Sequence, residues 1–207
     1  MVRLTGHTGP VSHLLDKILG LDPTLILVVT GLLVFAEDAI FLGFVIPGET
    51  AAVLAGVGAG LGNVPLALSL VVVIVAAIVG DSVGYEVGRH LGARILDLPL
   101  LARRRERLDA ARDLLSRRGG SAVFLGRWVA FFRAVMPALA GTARMPYGRF
   151  LAFNAAGGLA WGVTVVLVGY AAGASYAQVE KYVGRDAALV VLAVVVIALV
   201  VWRVRRR

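Results

Sequence analysis

A chain of 207 residues that is 59% apolar and only 16% charged, with a mean hydropathy of +0.86, does not have the composition of a soluble domain. It has no cysteine, which excludes disulfides, thiolate catalysis and cysteine-based metal sites. Its net charge of +8 is gathered in two places, a pattern that reports membrane topology and not nucleic-acid binding.

Residues 1–22 are weakly polar, with Leu14, Leu15, Ile18 and Leu19 at helical spacing, which predicts a short interfacial helix. Val34-Phe35-Ala36 loosely matches a leader cleavage site, but no basic start precedes it. Thr24 to Ala36 is apolar but shorter than the ~20 residues a spanning helix needs. Glu37 and Asp38 follow, then Ala39 to Ile46, a break at Pro47-Gly48-Glu49-Thr50, and a small apolar run from Ala51 to Leu61. Two short halves around a Pro-Gly break predict a re-entrant hairpin, with one long kinked helix as the alternative. Pro65 to Gly88 reads as the first full span. Gly80, Gly84 and Gly88 share one face of it, suited to close packing within one chain or between two.

The stretch from Leu98 to Arg118 is amphipathic, with Leu101, Leu108 and Leu115 seven apart, and predicts a helix on the membrane surface that ends at Gly119-Gly120. Ser121 to Arg144 has two apolar halves and carries Arg127 and Arg133, with breaks at Pro137 and Gly141; it predicts a second re-entrant hairpin that turns at Pro137. Phe150 to Tyr170, with Asn154 and Trp161, predicts another span, and Ala187 to Trp202 the last. Arg89 to Arg118 holds nine arginines against four acids, and Arg203, Arg205, Arg206 and Arg207 follow the last span. The positive-inside rule therefore puts both in the cytoplasm and the near-neutral loop 175–186 outside. These elements divide the chain into an interfacial segment (1–23), a membrane domain (24–173), and an external loop, last span and basic tail (174–207).

Glu37 stands ten residues before Pro47, and Arg127 ten before Pro137. If the two broken segments enter from opposite sides they form an inverted repeat, an architecture that sets a substrate site near the midplane. A charge at that depth costs between ~3 and ~15 kcal/mol and calls for a reason. One reason is structural pairing, Arg127 with Glu37. The other is function: arginine suits bidentate phosphate binding, and a carboxylate in a cavity suits proton exchange. The histidines, His7, His13 and His90, are scattered, and no nucleophile and base cluster is visible, so enzyme chemistry is the weakest reading.

Several of these motifs together resemble the DedA family, also described as SNARE-associated or VTT-domain membrane proteins. They are Glu37 with Phe44-x-x-Pro47-Gly48-Glu49, Gly80-Asp81-x-x-Gly84-Tyr85-x-x-Gly88-Arg89, Phe124-x-Gly126-Arg127 and Arg133-x-x-x-Pro137-x-x-x-Gly141, followed by Met145, Phe150, Asn154, Gly157 and Trp161. The resemblance implies an all-α membrane protein with two opposed re-entrant hairpins, each followed by a span. It implies translocation of a lipid phosphate, in bacterial members undecaprenyl phosphate, across the cytoplasmic membrane. Arg127 and Arg133 would bind the phosphate. Glu37 and Glu49, the latter often Asp in relatives, would couple the cycle to protons or sodium. Asp38, Pro47, Gly48, Asp81, Arg89, Pro137, Gly141 and Asn154 would support the site. The implied partners are membrane lipids, with no nucleic acid, no metal and no organic cofactor, and a homo-oligomer is an option. Two other functions compete: a proton-coupled carrier of cations or small osmolytes, and a non-transporting structural or assembly protein.

Overall fold

The computed structural model describes residues 22–39, 48–91 and 105–183. Among them the chain is all helical: α1 Pro23–Ala39, α2 Gly48–Gly60, α3 Leu66–Leu91, α4 Arg105–Arg118, α5 Gly120–Gly126, α6 Ala130–Thr142 and α7 Tyr147–Val183. The predicted N-terminal helix, the last span at 187–202 and the basic tail lie outside the described residues, as do Leu101, Phe44 and Pro47. Among the described residues two helices are long and apolar enough to cross a membrane, α3 over its 26 residues and α7 over Tyr147–Tyr176.

The distribution of side chains is that of a protein solvated by lipid. On α3, Leu68, Val71, Val75, Val79 and Val83 form an exposed stripe. The opposite face buries Val73, Ala77, Gly80, Asp81, Gly84, Tyr85 and Gly88. Small and polar groups therefore point inward and aliphatic ones outward, as expected where lipid is as apolar as leucine and helices associate by close packing. The same holds for α1, which exposes Leu25, Val28, Val29 and Leu32 and buries Thr30, Glu37 and Asp38.

Glycine sets the helix contacts. A Cβ at Gly56 or Gly60 of α2 would strike the carbonyls of Val166 and Tyr170 on α7, and one at Gly169 or Gly173 would strike those of Val53 and Val57. Two GxxxG faces thus meet backbone to backbone. The Gly80/Gly84/Gly88 face packs inside the chain: Gly80 lies against Phe35 and Asp38 of α1, and Gly88 against Ala138 of α6. Gly31 of α1 sits beside Val72, so α1 runs along the first half of α3; α2 then runs alongside the second half of α7. At the other end, Gly120 of α5 abuts Phe153, Phe124 abuts Gly157, and α6 lies on the last turns of α3.

Three expectations change. The second broken segment turns at residues 127–129, where Val129 is extended, and Pro137 lies inside α6. A proline within a helix removes a single hydrogen bond, which α6 tolerates while fully enclosed; Arg133 through Gly141 are all buried. The amphipathic helix α4 does not lay its apolar face in lipid. Leu108, Ala111 and Leu115 are buried in a cluster with Val135, Leu139 and Phe150. The Gly119 break does stand, at φ 56, with α5 starting at once. Finally, residues 174–183, read as external loop, continue α7; Ala177-Gln178-Val179-Glu180-Lys181 contains no helix breaker.

Asp22 caps α1, its Oδ1 accepting the backbone N–H groups of Thr24 at 2.7 Å and Leu25 at 3.2 Å. The Thr24 side-chain hydrogen bond, then those backbone groups, hold its carboxyl below the usual carboxylate value.

Candidate functional site: a buried ionic cluster at mid-bundle

Five ionisable residues from four helices meet at the centre. Glu37 and Asp38 come from the end of α1, Asp81 from α3, Arg127 from the turn after α5 and Arg133 from the first turn of α6; all are between 2% and 5% exposed. Glu49, in the first turn of α2, joins them with a side chain 29% exposed. Asp81 lies about 22 Å along α3, a helix roughly 39 Å long at 1.5 Å per residue, so the cluster sits near mid-length of a spanning helix.

The two arginines have different surroundings. Arg127 is enclosed: its Nη1 pairs with Asp81 and donates to Asn154 Oδ1 at 2.8 Å, and its Nη2 donates to Asp38 Oδ2 at 3.3 Å. Asn154 in turn donates from Nδ2 to the Ile78 carbonyl at 3.1 Å, which fixes the orientation of its amide. Gly157 makes room, for a Cβ there would come within 3.1 Å of Arg127 Cδ. Arg133 faces the acids at the end of α1 and the start of α2. Its Nη2 donates to Glu37 Oε1 at 2.5 Å and lies 3.5 Å from Glu49 Oε2, and its Nε is 3.8 Å from Asp38 Oδ1.

Local structure prepares these contacts. Glu37 Oε2 accepts the backbone N–H of Glu49 at 3.1 Å, so the carboxylate caps the N-terminus of α2, where the helix dipole favours negative charge. Gly48 permits that approach, because a Cβ would meet Glu37 Oε2. Pro137 has no N–H to offer the Arg133 carbonyl four residues earlier, so the usual helical hydrogen bond is missing beside the cluster.

Trp161 completes the site and was not among the residues singled out for it from sequence. Its ring lies under both guanidinium groups, 4.8 Å from Arg133 Cζ and 5.8 Å from Arg127 Cζ. In a desolvated setting such cation–π contacts are worth about 2 kcal/mol. Its signal was spacing: Asn154 and Trp161, seven apart, share one face of α7.

The cluster thus gathers Glu37, Asp38, Glu49, Asp81, Arg127, Arg133 and Asn154. It does not include Arg89, which is at the exposed end of α3 with Glu86 at 3.8 Å, about 12 Å along the helix from Asp81. Gly141 serves packing instead, its Cα facing the Tyr85 carbonyl. Four carboxylates face two guanidinium groups. Among the described residues, no three acidic or histidine side chains are placed so that they could hold one metal ion.

A model of the VTT domain matches residues 39–171, which hold Glu49, Asp81, Arg127, Arg133 and Asn154 of the cluster and begin just after Glu37 and Asp38. An uncharacterized membrane protein of Synechocystis, slr0232, is 39% identical over 135 residues, covering 62% of this chain and 60% of that protein. Rv2637, an uncharacterized membrane protein of Mycobacterium tuberculosis, is 45% identical over 73 residues, covering 35% of this chain and 34% of its own length. The inner membrane protein YohD of Escherichia coli is 28% identical over 176 residues, 83% of this chain and 91% of YohD. The chain therefore spans less than two thirds of the first two relatives. No solved structure matches it. With the domain model covering well over half of its length, the chain belongs to the VTT-domain family, the DedA membrane proteins.

Proposed function

We propose that this protein is a gradient-coupled transporter of a lipid phosphate, undecaprenyl phosphate being the first substrate to test, in the bacterial cytoplasmic membrane. The observation that carries the proposal is Arg133, buried at mid-bundle over Trp161 and held by Glu37 and Glu49 rather than by one fixed partner. A guanidinium bracketed by carboxylates is an exchangeable anion site. Protons arriving at Glu37 and Glu49 cancel their attraction and release Arg133 to a phosphate; loss of the protons restores the pairs and expels it. Arg127, enclosed by Asp38, Asp81 and Asn154, anchors the second hairpin to α3 and α7.

In this proposal α1–α2 and α5–α6 are opposed re-entrant hairpins. Their packing supports it. The first arm of each lies on the span that follows it, α1 on α3 and α5 on α7. The second arm of each lies on the other span, α2 on α7 and α6 on α3. That exchange is the pattern of an inverted repeat, with charged helix ends meeting at the centre.

The test is movement of undecaprenyl phosphate across proteoliposomes under a pH gradient. Wild type is expected to move it and Arg133→Gln to be inactive while folding normally. Transport retained in Arg133→Gln overturns the assignment. The excess of four acids over two arginines favours one other reading, a carrier of protons or cations. Sodium or proton flux without lipid movement in the same vesicles would select it.

A further inference from the structure

A cavity of about 510 Å³ opens at the basic end of the bundle, between α4, the end of α6 and the start of α7. Its floor is apolar, with Leu115, Leu139 and Met145, and Arg112, Arg144 and Arg149 stand around it. Arg112 has Asp109 at 3.4 Å, whereas Arg144 and Arg149 have no ion pair among the described residues. The backbone adds an independent observation. The end of α6 is a Schellman motif, with Met145 N–H bonded to the Ala140 carbonyl at 3.0 Å and Arg144 N–H to the Gly141 carbonyl at 2.9 Å. Its left-handed position, normally glycine, is held by Arg144 at φ 53, the one non-glycine residue with positive φ among those described. A side chain is thus kept where it strains the backbone, and strain of this kind marks functional positions. Arg149 in turn reaches over Gly119, where a Cβ would stand 3.0 Å from its Nη2.

We infer that this cavity is a second anion site, built for the phosphate head of a lipid whose hydrocarbon rests on the apolar floor. The arginines supply charge and forked donors at the rim. The mostly apolar lining selects an amphiphile over a free anion. The site is distinct from the central cluster: Thr142, at its wall, is about 14 Å along α6 from Arg133. One helix thus joins the two sites. Its use as a loading or release station rests on the translocase reading; binding does not.

The experiment is a binding titration of the full chain in phosphatidylcholine nanodiscs, with short-chain phosphatidic acid as probe. Arg144→Gly with Arg149→Gln is expected to weaken binding roughly tenfold to thirtyfold, the effect of losing two cationic contacts to an anionic headgroup. Arg144→Gly also relieves the strained φ, so the variant should melt no lower than wild type. Ser116→Trp, which pushes a ring into the cavity and leaves every charge in place, is expected to weaken binding as well. Arg117→Gln with Arg118→Gln, on the same helix outside the cavity, should change it less than about twofold. Equal weakening by both arginine pairs, or no effect of Ser116→Trp, reduces the site to general surface charge and overturns the inference. Competition by inorganic phosphate as strong as by the lipid overturns the choice of an amphiphile. Failure of the transport reading is separable: weakening of phosphatidic acid binding by Arg144→Gly with Arg149→Gln and by Ser116→Trp supports the site whether or not the wild type moves undecaprenyl phosphate in proteoliposomes.

Discussion

At the scale of residues, the two buried arginines divide the work of the cluster. Removing one partner of a buried ion pair strands the other charge, which costs about 3–5 kcal/mol. Arg127→Ala would strand Asp38 and Asp81 together, both almost fully buried. It is expected to lower stability by at least that amount, measured by thermal unfolding in detergent. Arg133→Gln strands Glu37, which is also buried, but it keeps an amide that can donate to that carboxylate and leaves part-exposed Glu49 to solvent; it should cost less than Arg127→Ala, and yet it should abolish transport. An Arg127→Ala protein that melts like wild type but loses substrate would move Arg127 to the substrate side. The sequence shows both arginines and all four acids, since charge in an apolar run is conspicuous. It does not show who pairs with whom. Arg127 and Glu37 are the expected couple, but Arg127 takes Asp38 and Asp81 while Glu37 goes to Arg133. That choice depends on how four helices rotate against one another, which no local pattern encodes.

At the scale of elements, glycine decides the packing. The spacing of Gly80, Gly84 and Gly88 announces a contact face but not its occupant, and two helices share it, α1 above and α6 below. Gly88→Ala drives a Cβ into the backbone of Ala138, where no side-chain rotation can relieve it. Overpacking of this kind costs about 1–3 kcal/mol. Gly148→Ala, on α7 with nothing within 4 Å, is the matched control and should lie within about 0.5 kcal/mol of wild type. Equal melting of the two variants would mean that the α3–α6 contact does not hold the fold. The misplaced turn has a related cause. Proline is a strong local breaker, so Pro137 draws the eye. The chain leaves the helix ten residues earlier, at Arg127, where three side chains on other helices seize the guanidinium. A tertiary anchor here outweighs the local signal, and the helix closes over Pro137 because it is surrounded by protein.

At the scale of the whole molecule, the two halves of the first broken segment can be joined in two ways. A re-entrant hairpin puts the start of α1 and the end of α2 at one membrane surface; a single kinked helix puts them at opposite surfaces. The chain lacks cysteine, so an introduced one is a unique label. Thr24 and Pro65 are exposed and flank α1 and α2, and Ser116 is exposed on the arginine-rich α4. In right-side-out vesicles, Thr24→Cys and Pro65→Cys are both expected to react with a membrane-impermeant maleimide, and Ser116→Cys only after permeabilisation. The first pair follows from the glycine contacts, since Gly31 sits beside Val72 and Gly60 beside Ala174, so both helices point their outer ends the same way. The third follows from the charge rule, with nine arginines against four acids from Arg89 to Arg118. Labelling of Thr24→Cys and Pro65→Cys from opposite sides would make α1–α2 a single crossing. The acids of α1 and the arginines of the second broken segment would then not form the proposed inverted repeat, and the exchange proposed at Arg133 would lose the alternating access it requires.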